Sequence, residues 1–349
     1  MDNTRTMTEH PMLQIKNLAV DFNTARGQAH ILEGVDFELF PKEILALVGE
    51  TGSGKSVTAK SILCLLPKSL SQSTGEVWFK KDNLLTLSNG KLQKIRGHQI
   101  SMVFQNPQSS INPVFTLGEQ ISRLIRLYLP DQIESVMKLN NCSRKKAIDT
   151  IAEERLNEVG LTDVQRLLKS YAGQVSGGMA QRYRIALALL SSPKILIADE
   201  ATSALDVTVQ AHILKLMREI CQKKKTAILF ITHDLGIAAQ ICNRVAVMYS
   251  GRIVEIAPTE DIFKTPYHPY TQGLLKAVPK LGQKEALAYV PGMIPDLANP
   301  PKGCRFHPRC TYTMDVCRRR KPPMTAVGLS HRVACFLYDN HPKPRKVEI

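Results

Sequence analysis

Residues 49–56, GETGSGKS, fit the pattern G-x-x-x-x-G-K-[ST]. The octet follows the apolar run ILALV and opens directly into KSVTAKSILCLL, whose spacing is helical. In that setting, glycines let the backbone close on a phosphate group. The loop N–H groups and the positive end of the helix then hold the anion. Lys55 would reach the outer phosphates of a nucleotide and the Ser56 hydroxyl would bind Mg2+, with Gly49, Glu50, Thr51, Gly52, Ser53 and Gly54 forming the cradle. A second segment suits the same chemistry: ILIADE, residues 195–200, is an apolar run ending in two carboxylates. Alone, such a pair is more often a helix cap or a solvated turn. Beside a phosphate loop, Asp199 would hold Mg2+ directly or through water, and Glu200 would polarise the attacking water.

Two further groupings stand out. In VSGGMAQR, residues 175–182, Ser176, Gly177 and Gly178 precede a helical pattern and form a second anion-binding end. The chain also has eight cysteines and no secretory pattern at its N-terminus, so a disulfide framework is not expected. Cys64, Cys142, Cys221 and Cys242 lie in apolar or helical contexts, where a free cysteine acts as a small hydrophobe. Cys304, Cys310, Cys317 and Cys335 crowd the last 50 residues with spacing C-x5-C-x6-C-x17-C. That spacing lacks the C-x2-C pairs usual in structural zinc sites, yet it is a complete tetrathiolate set. An iron–sulfur cluster, a zinc ion and four unmetallated thiols all remain open.

The elements that must position these groups follow from the pattern. LQIKNLAVDF, ILEGVDFELF and ILALV alternate or run as strands, and GEVWFK and ISMVFQ return to strand after the loop helix. From about residue 107 to 171 the spacing is helical throughout, in GEQISRLIRLYL, RKKAIDTIAEERLNEVG and TDVQRLLKSY, which predicts an inserted helical subdomain. After Ser176, helices and the strands ILIAD, AILFIT and RVAVMY alternate, as in a parallel sheet with helical crossovers. The expected fold is therefore α/β, with an N-terminal antiparallel β portion. One large domain spans residues 12–265, a Pro- and Gly-rich extension and linker spans 266–302, and a small cysteine-rich module with a basic tail fills 303–349.

Composition is ordinary for a globular chain, with 44% apolar and 22% charged residues, which excludes wholesale disorder. No apolar run approaches the roughly 20 residues a membrane span requires, and a cytosolic location is expected. Of the net charge of +15, residues 301–349 contribute +8. A basic tail of this kind can serve nucleic acid or an anionic lipid surface, but a solvated face is the plainer reading.

VSGGMAQR resembles the signature sequence of ABC-type ATPases, in the LSGGMxQR variant seen in peptide-importer subunits, with Val175 where Leu is usual. The resemblance covers residues 12 to about 280. It implies a head-to-tail pair of ATPase subunits, identical or paralogous, with each ATP held between one subunit's phosphate loop and its partner's signature. It further implies that Gln105 is the Q-loop residue, sensing the γ-phosphate and ligating Mg2+, that residues 203–206 form the D-loop, and that His233 is the switch histidine. Phe22 resembles the aromatic that stacks on adenine. Ala201 stands where the acidic strand is normally followed by Pro, which leaves the placement of Glu200 less determined.

PYHPYTQGLLKAVP, residues 266–279, resembles the segment after the ATPase fold in peptide and nickel importers, and the cysteine extension favours peptide. In the same subunits the four cysteines resemble a [4Fe-4S] site. Two permease subunits and an extracytoplasmic solute-binding protein are the implied partners, with the chain peripheral on the cytoplasmic face of the inner membrane. No nucleic-acid partner is expected. The alternative, a soluble ABC-type ATPase acting on ribosomes or nucleic acid, generally requires two cassettes, whereas this chain has one loop, one signature and one acidic strand.

Overall fold

The structure is a computed structural model that describes residues 10–25, 27–105, 110–202, 206–278 and 290–339. The chain divides into two compact units, one of Met1–Leu87 with Leu229–Ile349 and one of Ser88–Ile228.

In the first unit, β1 (Leu13–Thr24) pairs antiparallel with β2 (Gly27–Leu39) on one side and β4 (Ser71–Phe79) on the other, and β5 (Asp82–Asn83) closes the sheet. Leu13, Ile15, Leu18 and Val20 of β1 are all buried. The register shifts between Ile15 and Leu18, where Asn17 takes a φ of 47°. The bulge keeps Leu18 and Val20 on the core face.

The second sheet of this unit centres on β3 (Ile44–Val48), buried at every position, with β8 (Ala227–Thr232) on one side and β9 (Arg244–Tyr249) on the other. β3 and β9 run parallel, with Val48 opposite Val247. Strands buried on both faces need uninterrupted apolar sequence, which ILALV and AILFIT supply. Beyond β9 come β10 (Arg252–Pro258), then β12 (Arg332–Val333) and β11 (Thr325–Ala326), each antiparallel to its neighbour. The helices are α1 (Lys55–Ile62), α9 (Leu235–Ile241), α10 (Thr259–Lys264), α11 (Pro269–Lys276) and α12 (Asp315–Arg319).

The second unit pairs β6 (Ile100–Val103) parallel with β7 (Ile195–Asp199). α2 (Asn89–Ile95) leads into β6. The helical stretch comprises α3 (Leu117–Tyr128), α4 (Pro130–Asn140), α5 (Arg144–Glu158) and α6 (Val164–Lys169), followed by α7 (Gly177–Leu189) and α8 (Val207–Lys223). A reciprocal cap between Thr116 and Glu119 starts α3. Pro130 takes the first turn of α4, where its missing N–H costs nothing.

The region after Gly303, expected as a module of its own, clusters with the first unit. Its strands β11 and β12 extend the sheet at β10. Tyr267, Val333 and Tyr338 form a small apolar cluster there. The fully buried Glu255 carboxylate accepts from the N–H groups of Tyr267 (2.7 Å) and His268 (3.0 Å) and bonds His331 Nε2 at 2.7 Å, so no lone buried charge remains. Strand β10 itself has no counterpart in the sequence reading. Residues 203–205 of the expected D-loop, the start of the helical subdomain at 107, part of the linker and the end of the basic tail lie outside the described residues.

Candidate functional site

In the first unit, β3 ends at Val48 and the loop turns into α1. At Gly49, an added Cβ would lie 2.2 Å from the Met248 carbonyl oxygen, so only glycine lets the loop leave the strand here. Gly52 has a φ of 85° with nothing within 4 Å of a Cβ, an opening on the side where the backbone must meet a ligand. Gly54 caps α1, and Thr58 Oγ1 donates to its carbonyl at 3.0 Å. Lys55 is 5% exposed, and its Nζ donates to the carbonyls of Gly49 (2.7 Å) and Glu50 (2.9 Å). The ammonium therefore lies within the curl of the loop, with Ser53 fully buried and Ser56 and Glu50 half-buried.

Glu50 is fixed twice. Its N–H donates to Tyr270 Oη at 3.0 Å, and its carboxylate takes a two-pronged pair from Arg309, Nη1 to Oε2 at 2.8 Å and Nη2 to Oε1 at 3.0 Å. Arg309 further donates to the carbonyls of Pro291 (2.8 Å) and Val290 (2.9 Å). Burial works against the Arg309 charge, but the interactions with Glu50 and Tyr249 together outweigh it and the guanidinium pKa stands above its ordinary value. Burial likewise raises the Tyr270 phenol. Phe22 is half-exposed on β1, opposite Ala29 and Ser71. His233 is exposed just after β8, ahead of Asp234, which caps α9 by accepting from Ile237 N–H.

In the second unit, β7 delivers Asp199, 2% exposed, and then Glu200 in the left-handed region at a φ of 47°. For a side chain other than glycine this conformation is disfavoured by roughly 1–2 kcal/mol and must be held. Two contacts hold it: Gln105 Nε2 donates to Glu200 Oε2 at 2.8 Å, and Gln181 Nε2 donates to the Ala201 carbonyl. Gln181 lies on α7, the signature helix, and Arg184 one turn on donates to the carbonyl of Phe104, next to Gln105. Burial pushes the Arg184 guanidinium down to about 10.

Ser176 caps α7 by accepting from Met179 N–H at 3.3 Å. A Cβ at Gly177 would meet nothing within 4 Å, whereas one at Gly178 would touch Val209 at 3.3 Å. Asp206, the described residue of the expected D-loop, caps α8. The second unit thus joins Gln105, Asp199 and Glu200 to the signature helix, and the first unit contains the phosphate loop, Phe22 and His233. Sequence reasoning missed Gln181, Arg184, Tyr270 and the Arg309–Glu50 pair. Only Gln181 and Arg184 carried a signal, being three apart on one helix face.

Cys304, Cys310, Cys317 and Cys335 are all free thiols, with Cys317 buried and the others half-buried. Burial first, and the charges of Cys304, Cys310 and Cys317 second, push the Cys335 thiol up to about 12. Burial also raises Cys304 and Cys310. The four thiols are therefore near enough to sense one another. Among the described residues, however, no three His, Cys, Asp or Glu side chains are gathered to hold a metal ion, so the expected [4Fe-4S] ligand set is not a preformed metal centre. The donor set fits such a group in kind but not in closed geometry. Likewise among the described residues, no helix is long and apolar enough to cross a membrane.

Comparison with known proteins places this geometry. Residues 32–203 match the ABC transporter family model, and residues 254–317 match the model of the oligopeptide/dipeptide transporter C-terminal region. A putative peptide import ATP-binding protein of Brucella melitensis is 44% identical over 326 residues, covering 93% of this chain and 95% of the relative. A dipeptide transport ATP-binding protein of Bacillus subtilis is 44% identical over 330 residues, covering 94% and 95%. Among solved structures, the dimeric ATP-binding cassette MJ0796 in a post-hydrolysis state bound to ADP and Pi aligns with a TM-score of 0.60 at 27% identity, covering 71% of this chain and 99% of that one. This chain is accordingly a member of the ABC transporter ATP-binding proteins, in the branch of the dipeptide and oligopeptide importer subunits.

Proposed function

We propose that this ATPase drives uptake of di- or oligopeptides from the cytoplasmic face of the inner membrane, working with two permease subunits, a solute-binding protein and a second ATPase subunit. Residues 49–56 would bind the phosphates of ATP, with Lys55 exchanging loop carbonyls for β- and γ-phosphate oxygens. Ser56, Gln105 and Asp199 would hold Mg2+. Glu200 acts as the base that accepts the proton of the attacking water, and His233 contacts the γ-phosphate. Ser176, Gly177 and Gly178 would close on the nucleotide of the partner subunit, and Phe22 would stack on adenine. Hydrolysis removes the γ-phosphate that Gln105 senses, and the pair reopens.

The observation that carries this reading is the 2.8 Å bond from Gln105 to Glu200, which ties the sensing residue to the base. The test is reconstitution with the two permeases and the binding protein of its transporter. Di- or oligopeptide should stimulate ATP turnover and accumulate in the vesicles. Stimulation by nickel and not by peptide would replace the assignment of solute.

The four cysteines are the candidate ligands of a [4Fe-4S] cluster, each thiolate taking one iron. Support comes from four buried or half-buried thiols, of which Cys304, Cys310 and Cys335 are raised in pKa first by burial and then by the charge of neighbouring thiols, a penalty that bound cations would offset. The group would act as a cross-link. Anaerobically purified protein should be brown with about four iron per chain, and Cys310→Ser should be colourless. Colourless protein with one zinc per chain would replace the cluster.

A further inference from the structure

We infer that Arg309 is a positioning residue for the phosphate loop, holding the Glu50 side chain in place and masking its charge from the nucleotide. The inference rests on reading residues 49–56 as the phosphate-binding loop. Glu50 is the second residue of a segment built to hold a polyanion, and an unpaired carboxylate there repels the phosphates. Its own carbonyl is one of the two that receive Lys55 Nζ, so movement of Glu50 moves a partner of the lysine.

Arg309 is suited to the task. Its side chain is 5% exposed, and it meets Glu50 through two hydrogen bonds of 2.8 and 3.0 Å, the fork geometry that gives direction as well as attraction. The guanidinium is anchored independently by the carbonyls of Pro291 and Val290 and lies over the Tyr249 ring, 5.6 Å from its centroid. Tyr270, fully buried on α11, fixes the Glu50 N–H from a second direction. Both residues fall within 254–317, the part of the chain that follows the nucleotide-binding elements in sequence. This C-terminal region thereby sets the conformation and the electrostatics of the phosphate loop.

The full-length chain tests this with a fluorescent ATP analogue and Mg2+. Arg309→Ala should raise the Kd about tenfold, and Arg309→Lys, which keeps the charge but loses the fork, about threefold. In the assembled transporter KM should rise while kcat at saturating ATP stays within about twofold. Adding Glu50→Gln to Arg309→Ala should recover most of the lost affinity, because there is then no carboxylate to mask. If Arg309→Ala does not fold, Arg309→Lys with and without Glu50→Gln makes the same comparison. A lower melting temperature with unchanged Kd, or a loss that Glu50→Gln does not recover, would make Arg309 a staple for residues 290–291 and overturn the inference. Lys55→Ala must itself abolish binding; retained binding would sink the reading of the loop, whatever Arg309 does.

Discussion

Glu200→Gln separates chemistry from geometry in this site. The replacement has the same size, and its amide oxygen can still accept from Gln105 Nε2, which donates to Glu200 Oε2 at 2.8 Å. The left-handed turn at φ 47° and the bond from Gln181 to the Ala201 carbonyl involve no carboxylate and persist. Asp199 stays buried at the end of β7, so the proposed Mg2+ ligand is untouched and nucleotide affinity should be retained. What is lost is the base. Turnover should fall by roughly 10²- to 10⁴-fold, equivalent to about 3–5 kcal/mol on the barrier. Gln105→Ala is the contrast: it keeps the charge and removes its holder, at about 1.5 kcal/mol or tenfold. Phosphate release by the assembled transporter measures turnover, and MgATP titration of the isolated subunit measures affinity. Parent-rate turnover in Glu200→Gln would refute the assignment. Equal loss of affinity and turnover would show that the side chain binds rather than reacts.

Other outcomes follow from the same contacts. Ser176→Arg should leave MgATP binding by the isolated subunit intact and abolish ATP-driven pairing, read by size-exclusion chromatography; lost binding in the monomer would place the signature in its own subunit's site. Gln181→Ala frees the Ala201 carbonyl and lets the Glu200 turn relax, so turnover should drop about tenfold with nucleotide affinity unchanged. His268 is held to a pKa of about 4 by burial, partly opposed by Glu255, and its Nδ1 accepts from Tyr270 N–H at 3.1 Å. The unfolded chain, with the ordinary value of 6.5, therefore binds more protons than the folded one between those limits. Stability is full above pH 6.5 and falls as pH drops toward 4, by about 3 kcal/mol. His268→Asn keeps an acceptor for Tyr270, and its urea midpoint should lose that part of the slope between pH 7 and 4.

Legibility in the sequence tracked the range of the interactions. The phosphate loop, the acidic strand and the signature are local patterns whose chemistry is written in adjacent residues, and the structure gives each its expected element. Gln105 came only through resemblance, since nothing local announces a residue whose partner is Glu200, 95 positions on. Arg309 carried no such signal, since its partner lies 259 positions away and is set by how the C-terminal segment returns. The same return made a separate module of residues 303–349 the natural expectation. Two-residue strands such as β11 and β12 have no periodicity to read, and their place beside β10 joins residues nearly 80 positions apart, as the bond between Glu255 and His331 also does.

β10 would otherwise be the last strand of its sheet, with five of its seven residues buried. Such a margin invites pairing with a second molecule. The pairing of Glu255 with Val333 and Ile256 with Arg332, and the bond from Ala334 N–H to the Val254 carbonyl, occupy that margin within the chain itself. The terminal hairpin is thus a guard against self-association. A chain that stopped after α11 would keep every nucleotide-binding residue named above and still be prone to aggregate through β10, with Glu255 deprived of its histidine.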